Sequence, residues 1–369
     1  MIPFRNRTVR GKAVVSGIYL FTLNPEGEPA GKRRHVNARK ILSLAILVAL
    51  ACAWPVTSRA GSVGSDILGL FPKDAGEVAY ADLKQARQFP WFSQLKQQML
   101  PAKFREFEQF LTSAGVDPNT QVTELVWAMV PGQATTEASG GSVPTTEQIV
   151  GIALGQFQPS SAEAYFAAKK LPVVKIRTFS LFAFGGGSGP NDLFFFFIDS
   201  NTAAFGQRQE LEKLIGLRYG EGEGLYSNAD MSSLVNEANG SGTVWAVLNP
   251  AYTRLAMQQL VPEAAQFPAA AQLTSKLKAM TISMKGGGGV DAKFEAVCGS
   301  ADDANTFAAL LTAGLMYRKY QVGNTNPELG QLLDSAQITP AGDRLDLKLS
   351  LTDDQMLSLI RKNTFAVTM

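Results

Sequence analysis

The chain is poor in the side chains that most enzymes and metal sites rely on. Its 369 residues hold one histidine, His35, and two cysteines, Cys52 and Cys298. A body without histidine cannot run Ser-His-Asp or Cys-His chemistry or imidazole acid/base catalysis, and it lacks the commonest zinc and iron ligand. If Cys52 leaves with a leader, Cys298 has no partner within the chain, and the hydrophobic core alone stabilises the fold. Charge is also scarce, at 18% of residues, and the net charge of +2 hides a split. Residues 1–60 hold ten basic side chains against Glu26 and Glu28, which leaves the remainder with 24 basic and 30 acidic groups, net −6. An acidic body lacks the clustered Lys and Arg that displace phosphate counterions, which excludes nucleic acid as a partner.

A long hydrophobic run is missing too. The apolar stretch 41–53 has thirteen residues; as a helix it is roughly 20 Å long, against a bilayer core of about 30 Å. It follows Lys32, Arg33, Arg34, Arg39 and Lys40 and gives way to the small residues Thr57, Ser58 and Ala60. That is the build of a secretory signal peptide. Residues 36–60 are read as the signal, with cleavage after Ala60, and 1–35 as an extension ahead of the true start. If the 41–54 segment is retained instead, the protein is an inner-membrane-tethered component. The expected location is extracytoplasmic, in the periplasm or at the cell surface.

The body alternates strand and helix signals. Residues 76–83 read as a strand running into a helix, 91–113 as one long amphipathic helix, and 122–130 and 148–157 as strands. A polar stretch at 134–146 reads as a loop. Ser160 and Glu163 read as a capping box opening a helix to Lys170. Strands follow at 173–184, 192–199 and 202–205, and a helix at 206–217. The second half repeats this order: a strand at 242–248, a hairpin of 280–284 with 290–298, a helix capped by Ser300, a strand at 345–351, and a capping box at Thr352 and Gln355. The expected fold is α+β, with antiparallel sheets flanked by helices. It divides into two degenerate repeats of a strand-helix-strand-strand-helix-strand unit, at 61–218 and 219–369.

Burial differs between the halves. Leu345, Leu347, Leu349 and Leu351 alternate with polar residues, as do Val290, Ala292, Phe294, Ala296 and Cys298, so these strands have one dry face and one wet one. Cys298 falls on the dry face, as an inert thiol. By contrast, 193–198 (Leu-Phe-Phe-Phe-Phe-Ile) and 149–154 are apolar on both faces, so something covers that sheet twice. Gly151, Ala153 and Gly155 leave shallow space beside it, either for a helix backbone that packs closely or for an acyl chain or a partner's helix.

Gly115 to Pro118 after a long helix, 150–157 before a capped helix, Asp199 to Thr202, and Gly206 opening a helix together resemble a loose group of uncharacterised exported bacterial proteins. The resemblance spans roughly 70–370. It implies export and an α+β body, and it brings no activity and no functional residues.

Three motif-like arrangements bear on chemistry. No Rossmann glycine fingerprint or Walker loop is present, because Lys285 precedes its glycines. The run Gly220, Glu221, Gly222, Glu223, Gly224 is acidic but has no EF-hand spacing, and reads as a solvated turn. Ser93 and Lys96, then Tyr226 with Asn228, then Lys285 follow the order of a penicillin-recognising serine acyl-enzyme. In that alternative Lys96, one turn from Ser93, takes its proton. Against it, the third motif lacks its threonine and Ser93 stands among polar neighbours. The sequence thus points to an exported, non-catalytic module without cofactor or metal, which binds a protein partner or an apolar ligand through its first half.

Overall fold

Period-two alternation and unbroken apolar runs both make strands, and here they build a single sheet. The computed structural model describes residues 61–100, 102–132, 147–189, 191–260, 274–322 and 327–362. The expected leader and extension, His35, Cys52 and the polar loop 134–146 lie outside the described residues. In chain order α1 (Ser65–Leu68) and β1 (Glu77–Asp82) come first, then α2 (Leu83–Ala86), α3 (Phe92–Met99), α4 (Ala102–Ser113) and α5 (Pro118–Gln121). Next are β2 (Val122–Val130), β3 (Gln148–Gly155), α6 (Pro159–Lys169), β4 (Val173–Ile176) and β5 (Phe179–Phe184). The first half ends with β6 (Leu193–Phe197), β7 (Thr202–Gln207) and α7 (Arg208–Arg218). The second half has α8 (Ala229–Ala238), β8 (Val244–Leu248), α9 (Pro250–Leu260), β9 (Leu277–Gly286) and β10 (Gly289–Cys298). It closes with α10 (Ala301–Val322), α11 (Pro327–Ser335), β11 (Gln337–Ala341), β12 (Arg344–Thr352) and α12 (Asp353–Arg361).

All twelve strands pair antiparallel in the order β11-β12-β10-β9-β8-β1-β2-β3-β7-β6-β5-β4. The protein is therefore α+β, as the alternation predicts. β1 and β8 pair at the middle, with Ala79 opposite Ala246. Outward from that pair run β2, β3, β7 and β6 on one side and β9, β10, β12 and β11 on the other. α6 after β3 and α10 after β10 lie on the same face of the sheet; α7 and α12, which end the two halves, lie on opposite faces.

The two cores explain the different burial of the halves. On one face Ala79, Trp127, Met129, Ile149, Phe195, Met280, Phe294 and Leu349 pack under α3, α4, α6, α9, α10, α11 and α12. On the other, Val78, Tyr80, Val126, Ile152, Phe194, Phe196, Trp245 and Val247 pack under α1, α7 and α8. β1, β2, β3, β6, β7 and β8 are thus covered twice by the protein's own helices, which is why β6 needs no polar face. β10 and β12 are covered once, and their alternation survives: Leu345, Leu349 and Leu351 are buried while Lys348 and Ser350 are exposed. Cys298 is fully buried, as its register predicts.

Three local expectations need correction. The helix expected at 91–113 is two helices, because Leu100 precedes Pro101 and is extended (ψ 116°). A proline disfavours the helical region for the residue before it. The strand expected at 173–184 is a hairpin, turned at Arg177, a non-glycine residue with φ +55°. No side chain caps α6: Gln158 is its N-cap and Pro159 starts it, so Ser160 and Glu163 do not form a capping box. The capping box at Thr352 and Gln355 is present in full.

Candidate apolar site under the paired helices α3 and α4

The floor of the site follows from strand register. Leu125, Ala153, Ala203 and Phe197 lie in one row across β2, β3, β7 and β6. Two alanines side by side at the centre of that row leave the sheet surface low. Phe195 and Phe205 face each other in the next row and form a wall. The aromatic packing continues beyond it: ring centroids stand 5.2 Å apart for Phe107 and Phe184, 5.2 Å for Phe182 and Phe195, and 4.8 Å for Phe166 and Phe182. Tilted ring contacts at these distances hold the wall firmly.

The roof comes from the amphipathic pair. Phe92 and Leu100 from α3 and its end, and Phe104, Phe107 and Leu111 from α4, point down at the alanine floor. The break at Leu100 lets the two helices take different directions over it. Gly115, at φ +80°, ends α4, with Val116 N donating to Leu111 O at 2.8 Å and turning the chain down to α5. An apolar cavity of about 140 Å³ remains between roof and floor. Enclosed core cavities of about 150 Å³ take up benzene; this one opens on the Lys96–Glu108 side, and its mostly apolar lining suits a hydrocarbon chain.

Four polar groups line the same cavity: Arg87, Lys96, Glu108 and Asn119. Lys96 Nζ lies 2.6 Å from Glu108 Oε1 and donates to Asn119 Oδ1 at 2.7 Å, which straps α3, α4 and α5 together. The Lys96 and Glu108 side chains are 17% and 27% exposed, so this strap marks the wet side. Arg87 Nη2 donates to Pro118 O at 2.9 Å and Val122 O at 2.6 Å. Burial holds the Arg87 pKa below the usual guanidinium value, partly offset by Asp117, Asp82 and Glu108.

The small-residue positions of β3 have separate fates. A side chain on Gly151 would meet the Phe205 ring at 2.2 Å, and one on Gly155 would meet the Gln121 carbonyl oxygen at 1.9 Å. Gly151 is therefore filled by an aromatic ring of the next strand, where the sequence suggests a helix backbone. Ala153 alone of the three lines the cavity.

The acyl-enzyme residues do not converge. Ser93 is exposed on α3, and Lys96 is engaged by Glu108 and Asn119. Tyr226 is exposed beside Gly69, near the core on the opposite sheet face, and Lys285 is at the β9 end of a hairpin. In the acidic turn, Glu221 pairs with Arg177 at 2.5 Å and Glu223 pairs with Lys73. Sequence reasoning passed over Arg87 and Glu77. Glu77 is fully buried on β1, and neither carboxyl oxygen meets a well-placed donor. Burial pushes its pKa up to about 8, which the Trp127 side chain offsets only in part.

No family model matches the chain, and no curated protein matches it. Among solved structures it is similar to crystal form III of TP0453, at 11% identity and a TM-score of 0.46, covering 81% of this chain and 99% of that one. It is also similar to crystal form I of TP0453, at 11% identity and a TM-score of 0.45, covering 82% and 98%.

Proposed function

We propose that this protein is an exported, non-catalytic binding module that holds a single aliphatic chain in the cavity between α3, α4 and the alanine floor of the sheet. The carrying observation is the apolar space of about 140 Å³ above the Ala153–Ala203 floor. Small size fits one short chain, of roughly six to eight carbons by comparison with benzene. The support for export is the basic, apolar and small-residue pattern of 36–60. Val63 is buried, donates from its N–H to Asn239 Oδ1 and accepts from Asn239 Nδ2, both at 2.9 Å. Cleavage after Ala60 leaves that clasp intact. The run β2-β3-β7-β6 beyond β1 parallels β9-β10-β12-β11 beyond β8, with β5 and β4 added on the first side only, and this supports a duplicated unit whose first copy carries the site.

The test is a chain-length series of alcohols, each titrated into the protein by isothermal calorimetry. Each methylene transferred from water is worth about 0.8 kcal/mol, so affinity should rise about fourfold per carbon and level off once the cavity is full. A flat series, or no binding at any length, rejects the reading.

A further inference from the structure

The polar groups at the cavity are unequally satisfied. Lys96 has a carboxylate and an amide oxygen, and Glu108 has Lys96. Arg87 has two backbone carbonyls, both taken by Nη2, and no carboxylate within ion-pair distance among the described residues. A guanidinium has five N–H donors in a planar fork that matches a carboxylate. Nη1 and Nε of Arg87 thus remain for an acceptor that the protein does not supply. The two nearby acids outside the lining are occupied elsewhere. Asp117 accepts from Asn119 N and Thr120 Oγ1, and Asp82 accepts from Gln85 N, each capping a helix. The charged groups on the cavity itself are Arg87, Lys96 and Glu108, a net charge of +1.

We infer that the ligand is an anionic amphiphile, a short aliphatic chain ending in a carboxylate, with its chain on the Ala153–Ala203 floor and its head group on Arg87. This rests on the cavity reading proposed above and adds the head group to it. The carbonyl bonds from Pro118 and Val122 hold Arg87 in place before the ligand arrives, so little side-chain freedom is lost on binding.

The experiment compares the calorimetric affinities of octanoate, 1-octanol and octylammonium for wild type, Arg87→Gln and Arg87→Lys. In wild type, octanoate should bind about tenfold more tightly than octanol, the scale of one charge-assisted contact discounted for partial exposure. Octylammonium should bind more weakly than octanol. Arg87→Gln should bring octanoate and octanol to within about threefold of each other; Arg87→Lys should retain part of the preference, because it keeps the charge and loses the fork. Equal wild-type affinities for octanoate and octanol overturn the inference without recourse to any variant, and so does an undiminished preference in Arg87→Gln. Failure of both octanol and octanoate to bind rejects the cavity reading itself.

Discussion

Glu77 ties folding to pH through a single side chain. It is fully buried, opposite Met129 on one side and Leu248 on the other. With its pKa near 8 in the folded protein and near 4.5 as an ordinary glutamate, it keeps its proton in the fold where the unfolded chain has lost it. Its stabilisation is therefore fully present below about pH 4.5, falls as pH rises, and is gone above about pH 8. The shift corresponds to about 5 kcal/mol across that window. Glu77→Gln should remove this slope, so its stability should gain on wild type between pH 5 and pH 8.5 in denaturant titrations. Parallel pH profiles for the two proteins would show that Glu77 does not titrate as its burial dictates. Neither Glu77 nor Arg87 was legible in the sequence. A glutamate in a strand and an arginine just past a short helix look like surface residues until the strands on both sides are placed.

At the scale of elements, strands were read best, because period two is a short-range signal that survives without tertiary knowledge. β2 occupies the predicted residues, and β10 and β12 fall within a residue of them. Boundaries failed where one residue overrode the pattern: Pro101 split the long helix, and Arg177 turned a strand back without a glycine. The cavity was legible only as the small residues of β3, since its lining comes from elements far apart in sequence. Gly151 now has a specific consequence. Its missing side chain admits the Phe205 ring, and that ring also lines the cavity. Gly151→Ala should push the ring toward the cavity, costing about 1–3 kcal/mol of stability and weakening octanol binding in the same variant. Melting and octanol titration measured together check this; a stability loss with unchanged binding would separate Phe205 from the site.

At the scale of the whole molecule, the halves are joined by more than the β1–β8 pair. Trp91 Nε1 donates to Asp353 Oδ1 at 2.7 Å and Gln98 Nε2 to Ile360 O at 2.5 Å, which sets α12 of the second half against α3 over the first. The helix that roofs the cavity is therefore braced by the far end of the chain. Native mass spectrometry of protein purified from producing cells, beside an Ala153→Phe variant, tests the binding claim most directly. Ala153 is on the cavity floor, so the added ring should occupy the ligand's space. The account predicts a wild-type polypeptide starting near Gly61 that carries one small amphiphile, and an Ala153→Phe protein that stays folded and arrives empty. A wild type that carries no ligand even when octanoate and octanol are supplied, or an adduct that Ala153→Phe retains in full, would contradict it.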